Sequence, residues 1–167
     1  AFMSMLGSTL LNDVISNIET LKADLILNDL RDQVILRLRQ TGELSETKDG
    51  MDVGICLLNK DNGKLQFAGA YNSLYMIRKG KLTEIKADKM PIGISPKAGK
   101  LFTNHEIKVK KDDAFYMFSD GIIDQFGGDN GKKYLSNRFQ QLLLGIQDKI
   151  MYDQKEILEN ELNEWMG

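Results

Sequence analysis

Residues 115–128 read FYMFSDGIIDQFGG. A run of apolar and aromatic side chains stops at Ser119-Asp120-Gly121, and a second aspartate, Asp124, follows four residues after the first. The run is short and both its faces are apolar, so it reads as an inner strand, residues 114–118. A short helical turn then fits residues 121–126. A carboxylate where a strand gives way to a helix has two uses. It can cap, accepting hydrogen bonds from the free amides of the first turn, and aspartate is a favoured N-cap. On composition alone this is the commoner use, with Asp124 merely solvated. Alternatively it holds a cation. Residues four apart on a helix face the same way. Two carboxylates aimed at one spot repel unless a cation lies between them. Mg²⁺ or Mn²⁺ suits such a pair, because hard ions take carboxylate oxygens and keep several waters. Two carboxylates make a poor site alone, and Asp49, Asp52, Asp112 and Asp113 are the further candidates.

Outward from this stretch the pattern changes twice. Phe2, Met5, Leu6, Leu10, Val14 and Ile18 recur at helical spacing, and Leu25, Ile26, Leu30, Val34, Ile35 and Leu38 form a second such face. Asp24 or Asn28 is the expected cap of the second helix. Residues 40–50 turn polar and read as a loop. Residues 51–58 form an apolar run too short for a core helix, followed by the turn chemistry of residues 59–64. Residues 74–78 and 82–85, joined by Lys79-Gly80-Lys81, read as a tight hairpin. Residues 87–100 carry both prolines and read as a loop; residues 106–110 alternate and need one wet face. Two amphipathic helices follow, at 134–146 and 154–165. The class is α+β, an antiparallel sheet core flanked by helices. It is organised as one domain that is helical over 1–40, β-rich over 51–118 and helical over 121–167.

The chain has 167 residues and a formal net charge of −2, which gives no reason to expect nucleic acid or an acidic membrane as partner. Its single cysteine, Cys56, excludes an intrachain disulfide or thiolate cluster and reads as a small buried hydrophobe. Its single histidine, His105, excludes multi-histidine metal sites and reads as a surface residue. No stretch has the ~20 apolar residues of a membrane span. No signal peptide is visible, and the start in helical sequence is that of a piece of something longer.

Several segments then resemble one family. Phe118-Ser119-Asp120-Gly121-Ile122 after an apolar strand is similar to the metal-binding motif of the metal-dependent (type 2C-like) protein phosphatase superfamily, and most similar to its bacterial SpoIIE-type serine/threonine phosphatases. Asp49-Gly50-Met51-Asp52-Val53-Gly54-Ile55-Cys56 resembles the strand entering that family's central sheet. Residues 67–78 (FAGAYNSLYMIR) resemble its A-G-x-x-x-P-x-x-L-x-R hairpin, with Ser73 in place of the usual proline. Met90-Pro91-Ile92-Gly93-Ile94 resembles its P-L/I-G loop, and residues 1–7 the helix after its D-x-T/S-G-H-G-V-P-G motif. Five segments in family order make the likeness specific across the chain.

The resemblance implies an α-β-β-α sandwich, here partial, and two Mn²⁺ or Mg²⁺ ions per intact domain. Such ions lower the pKa of a bridging water and screen the phosphomonoester, so that hydroxide attacks phosphorus directly. It implies that Asp120 is a metal ligand, that Asp124 lies beside the metals, and that Asp49 falls near a looser third ion. The family's first metal aspartate would precede residue 1 and its last would follow residue 167. The stretch alone is therefore expected to hold metal weakly or not at all and to be inactive. Implied with it are a cytoplasmic setting, a phosphorylated bacterial regulatory protein as substrate and a role in signalling such as sigma-factor regulation. Unpaired sheet edges suggest a homodimer. The alternative is a phosphatase-like pseudoenzyme or interaction module.

Overall fold

The computed structural model describes residues 2–42, 49–96 and 99–167. In chain order the elements are α1 (Phe2–Asn17), α2 (Ala23–Arg37), β1 (Val53–Asn59), β2 (Lys64–Ala70), β3 (Leu74–Arg78), β4 (Lys81–Ile85), β5 (His105–Lys108), β6 (Ala114–Tyr116), α3 (Asp120–Ile123), β7 (Phe126–Gly127), β8 (Lys132–Lys133), α4 (Ser136–Ile146) and α5 (Met151–Met166). The α+β class with antiparallel strands holds. The elements gather into two compact units, one of residues up to Leu74 with Ile85–Lys110, the other of Tyr75–Glu84 with Lys111–Gly167.

In the first unit β1, β2 and β5 form an antiparallel sheet with β2 in the centre. The β1–β2 turn closes because the Asn59 side-chain oxygen accepts the amides of Asp61 and Asn62, while Gly63 takes a left-handed φ of 62°. Alternation along β2 sends Ala68 and Ala70 into a core with Leu27, Leu30 and Val34 of α2 and Ile92 and Phe102 of the loops. Their small side chains let α2 lie close to the strand. Helix α2 starts at Ala23 behind Lys22, which makes no side-chain cap bond. Neither expected cap acts as one. Asp24 sits inside the first turn, and the Asn28 Oδ1 accepts the Phe102 amide at 3.1 Å instead. His105 is half-buried rather than on the surface: it lies opposite Phe67 in the β2–β5 register, with ring centroids 6.1 Å apart.

In the second unit the order is β4-β3-β6. Lys79 and Gly80 both take left-handed φ (50° and 73°), as a two-residue hairpin requires. Strand β6 is not an inner strand. It pairs β3 through Tyr75↔Tyr116, Met76↔Phe115 and Ile77↔Ala114 and forms an edge of this sheet. One face of it, Ala114 and Tyr116, packs against a cluster holding Tyr75, Ile77, Tyr134, Phe139, Leu143 and Ile146. Helix α4 starts at Ser136 rather than 134, because Tyr134 is still extended: its amide donates to the Gln125 carbonyl at 2.9 Å, and Leu135 turns with φ 70°. Helix α5 starts at Met151, earlier than the apolar spacing indicates. Its first turn buries Gln154, which accepts the Tyr116 hydroxyl at 3.0 Å and donates to the Lys149 carbonyl at 2.8 Å. At the other end of α5, the Trp165 indole N–H donates to the Gln125 carbonyl at 3.0 Å, and the Trp165 carbonyl accepts the Gly128 amide at 2.7 Å.

Gly127 and Gly128 are glycines because Trp165 lies on them; a Cβ on Gly127 would overlap the Trp165 carbonyl. Gly127→Ala is expected to destabilise the second unit by about 1–3 kcal/mol, the usual cost of overpacking a closed contact, read by chemical denaturation followed through Trp165 fluorescence. Burial, then the hydrogen bond to Glu161, raises the Tyr134 phenol from 10.0 to about 12. The neutral phenol is thus favoured in the fold. That stability is complete below pH 10 and is lost as pH climbs through about 12. The denaturation midpoint should fall across this window, and fall less in Tyr134→Phe.

Candidate functional site

The strand-to-helix junction is built by backbone geometry. Strand β6 ends at Tyr116, three residues run on without regular structure, and α3 begins at Asp120. The residue before the helix, Ser119, is extended (φ −88°, ψ 161°) and forms no side-chain cap bond. Asp120 is the first helical residue, not the N-cap. Its side chain is exposed and has no hydrogen-bond or ion-pair partner among the described residues. The capping use of this aspartate is therefore not the one the chain makes of it. A carboxylate in a first helical turn is favourably placed toward the free amides, and a four-residue helix makes that effect small.

Asp124 ends the same helix. Its amide donates to the Asp120 carbonyl at 2.8 Å, and its exposed carboxylate pairs with the Lys133 ammonium at 2.9 Å. The other carboxylates diverge in role. Asp113 is fully withdrawn from solvent and grips the Arg78 guanidinium through two bonds of 2.7 Å each, which raises the arginine's pKa further. It is a structural ion pair, unavailable as a ligand. Asp112 is an exposed turn residue with φ 66°.

Asp49 and Asp52 belong to the first unit, and both are exposed. The Asp49 backbone is fixed by a residue that sequence reading placed in a solvated loop. Gln40 is buried; its Nε2 donates to the Asp49 carbonyl at 2.6 Å and its Oε1 accepts the Ile94 amide at 3.0 Å. Gly93, with φ 142°, leaves no room for a Cβ beside that carbonyl, and Met51 and Ile92 exchange two backbone bonds of 3.1 and 2.9 Å. The segments that resemble the family's entering strand and P-L/I-G loop are thus one tied pair. Asp52 lines a cavity of about 300 Å³ with Met3, Gly7, Leu30 and Met51. Ser73, in place of proline, accepts the Ala87 amide at 3.2 Å.

Among the described residues no three His, Cys, Asp or Glu side chains come together to hold a metal ion. Asp120 fits a hard divalent ion, being an exposed carboxylate without a partner. A complete two-ion centre does not fit the described residues.

The family model described as Stage II sporulation protein E (SpoIIE) matches residues 1–164. The chain belongs to the SpoIIE family. This SpoIIE-family chain superposes on the SiaA-PP2C domain of Pseudomonas aeruginosa with a TM-score of 0.82 and 27% identity, over 100% of this chain and 62% of that one. It matches the PP2C phosphatase domain with a fragment of the regulatory domain of SpoIIE from Bacillus subtilis at a TM-score of 0.68 and 14% identity, over 96% and 44%. The phosphatase domain of SpoIIE from Bacillus subtilis, Mn presoaked, matches at 0.51 and 17%, over 92% and 62%. The SpoIIE-family chain therefore spans less than two thirds of each of these structures. No curated protein sequence matches it significantly. By family it is SpoIIE, and by fold it resembles part of the PP2C phosphatase domains, a metal-dependent family. No helix among its described residues is long and apolar enough to cross a membrane.

Burial pushes the Cys56 thiol up to about 11, so it is protonated at neutral pH. Cys56 is half-buried rather than buried. At pH 8 the native protein should react with a disulfide reagent at least about tenfold more slowly than the same chain in denaturant, in keeping with the lower reactivity of a thiol held protonated.

Proposed function

We propose that this chain is part of a bacterial phosphoserine/phosphothreonine protein phosphatase domain that acts in cytoplasmic signalling on a phosphorylated regulatory protein. The observation that carries the reading is the Asp120 side chain: it stands at the first residue of α3, exposed, without a hydrogen bond or ion pair among the described residues. The family match supports reading that position as a metal ligand. When bound, Mn²⁺ or Mg²⁺ supplies a water of lowered pKa and screens the phosphate dianion. Of the chain's own groups, Asp120 would hold one ion. Asp124 stands one turn on; in the first unit, Gln40 fixes the backbone of Asp49.

A second reading has its own support. Asp113 and Asp124 are both neutralised by basic side chains, and the described residues assemble no acidic cluster. That pattern suits a phosphatase-like pseudoenzyme or interaction module.

Two measurements separate the readings. The 167-residue chain by itself should release no phosphate above blank from para-nitrophenyl phosphate in millimolar Mn²⁺, and turnover abolished by Asp120→Ala would contradict that. In a polypeptide carrying this chain within a complete phosphatase domain, Asp120→Asn should cost at least about a hundredfold in kcat, since even outer-shell changes at metal sites cost roughly ten- to a hundredfold. Undiminished turnover would leave the pseudoenzyme or interaction reading standing.

A further inference from the structure

The stretch between α3 and α4 is paired with itself and little buried. From Phe126 to Lys133 no residue is buried, and Phe126 is 60% exposed. The hairpin pairs Phe126 with Lys133 and Gly127 with Lys132. Its return to the fold is abrupt, because Tyr134 and Phe139 in the first turn of α4 are both buried. One residue, Leu135, turns the chain from the extended Tyr134 into α4. Its φ of 70° and ψ of 149° lie in the part of backbone space that glycine alone occupies readily. An N-cap is ordinarily extended and carries a side chain that accepts a first-turn amide. Leu135 has no such group and makes no cap bond, and it is 58% exposed, so its own packing does not offset the strain.

The bonds on either side impose that conformation. The Tyr134 amide donates to the Gln125 carbonyl at 2.9 Å, and the Leu135 amide to the Ile123 carbonyl at 2.8 Å. The hairpin is held further by the last turn of α5, where the Trp165 carbonyl accepts the Gly128 amide at 2.7 Å and its indole donates to the Gln125 carbonyl at 3.0 Å. We propose that residues 125–135 are a sprung flap on the second unit, with Leu135 as its strained joint and Trp165 as its latch. In the closed state the hairpin lies on the end of α3 and under Trp165. In the open state those bonds are broken, Leu135 relaxes to negative φ, and the interior of α4 stays folded. The exposed Asp124–Lys133 ion pair breaks with them. Strain of this kind shifts an equilibrium by about five- to a hundredfold, and opening discharges it. The flap therefore opens more readily than its hydrogen bonds alone would set, and its movement carries the C-terminal end of α3. The device is independent of any ion at α3.

Amide hydrogen exchange of the 167-residue chain, read residue by residue by NMR, tests this. The amides of Gly128 and Tyr134 report the flap, and that of Leu143, buried in α4, reports global unfolding. In the unsubstituted chain the two flap amides should exchange at least about tenfold faster than Leu143 and respond less steeply to urea, since a local opening exposes less surface. Leu135→Gly should slow both flap amides about fivefold, near the lower end of the strain because glycine also loosens the open state. Leu135→Ala keeps the Cβ and so the strain, and should leave both rates within about twofold. Trp165→Phe, which removes the indole hydrogen bond, should speed both about fivefold. Equal protection and equal urea response of the flap amides and Leu143 would overturn the proposal without any variant. So would a Leu135→Gly change of less than about twofold, an equal slowing in Leu135→Ala, or unaltered flap exchange in Trp165→Phe.

Discussion

The carbonyl of Gln125 accepts two hydrogen bonds, one from the Tyr134 amide at 2.9 Å and one from the Trp165 indole at 3.0 Å. This oxygen is the point at which the second unit is tied together. It joins the segment leaving α3 to the start of α4 and to the last turn of α5. Trp165 reinforces the tie by accepting the Gly128 amide, standing edge-on to Tyr134 at 5.4 Å and lying under the Arg138 guanidinium at 4.3 Å. Two neighbouring glycines exist to admit that indole. With Gln125 held, the register of the hairpin follows and Lys133 reaches Asp124.

Much of this was legible in the sequence, for reasons that can be named. The two N-terminal helices and the hairpin at Lys79-Gly80 follow from periodicity and from residues able to take left-handed φ. The strand-to-helix switch at Ser119-Asp120-Gly121 was visible because composition changes abruptly there. What stayed hidden depends on groups distant in sequence. Nothing local says that Gln40, inside a polar run, is buried and bonded to Asp49 and Ile94. Nothing local says that Asn28 serves Phe102 rather than its own helix, or that Asp113 closes on Arg78. The apolar residues of β6 indicated burial correctly but not that the strand is an edge, since helix side chains and strand neighbours cover apolar faces equally well. Extra residues at the start of α5 escaped the apolar spacing because the side chain it buries there is a glutamine that satisfies all its polar atoms internally.

The candidate site illustrates how charge accounting sorts equivalent residues. Six aspartates are candidates within or beside the family-like segments: Asp49, Asp52, Asp112, Asp113, Asp120 and Asp124. Asp113 is buried and doubly bonded, so it stabilises the sheet rather than serving a ligand. Asp124 is compensated by an exposed lysine, a pair weak enough to yield. Asp120 combines the position of the family-like metal motif with a side chain that has no partner among the described residues. The capping explanation required this carboxylate to accept a hydrogen bond from an amide of its own helix, and the helix begins without one.

The central claim, that Asp120 is kept free in order to hold a divalent cation, is tested most directly by ¹H–¹⁵N correlation spectra of the chain with Mn²⁺ added in small steps. The account predicts that the amides of residues 119–122 lose intensity first and together, through paramagnetic broadening from an ion at the start of α3. Loss centred on other exposed carboxylates, such as Asp148 or Asp153, or spread evenly over the acidic surface would contradict it.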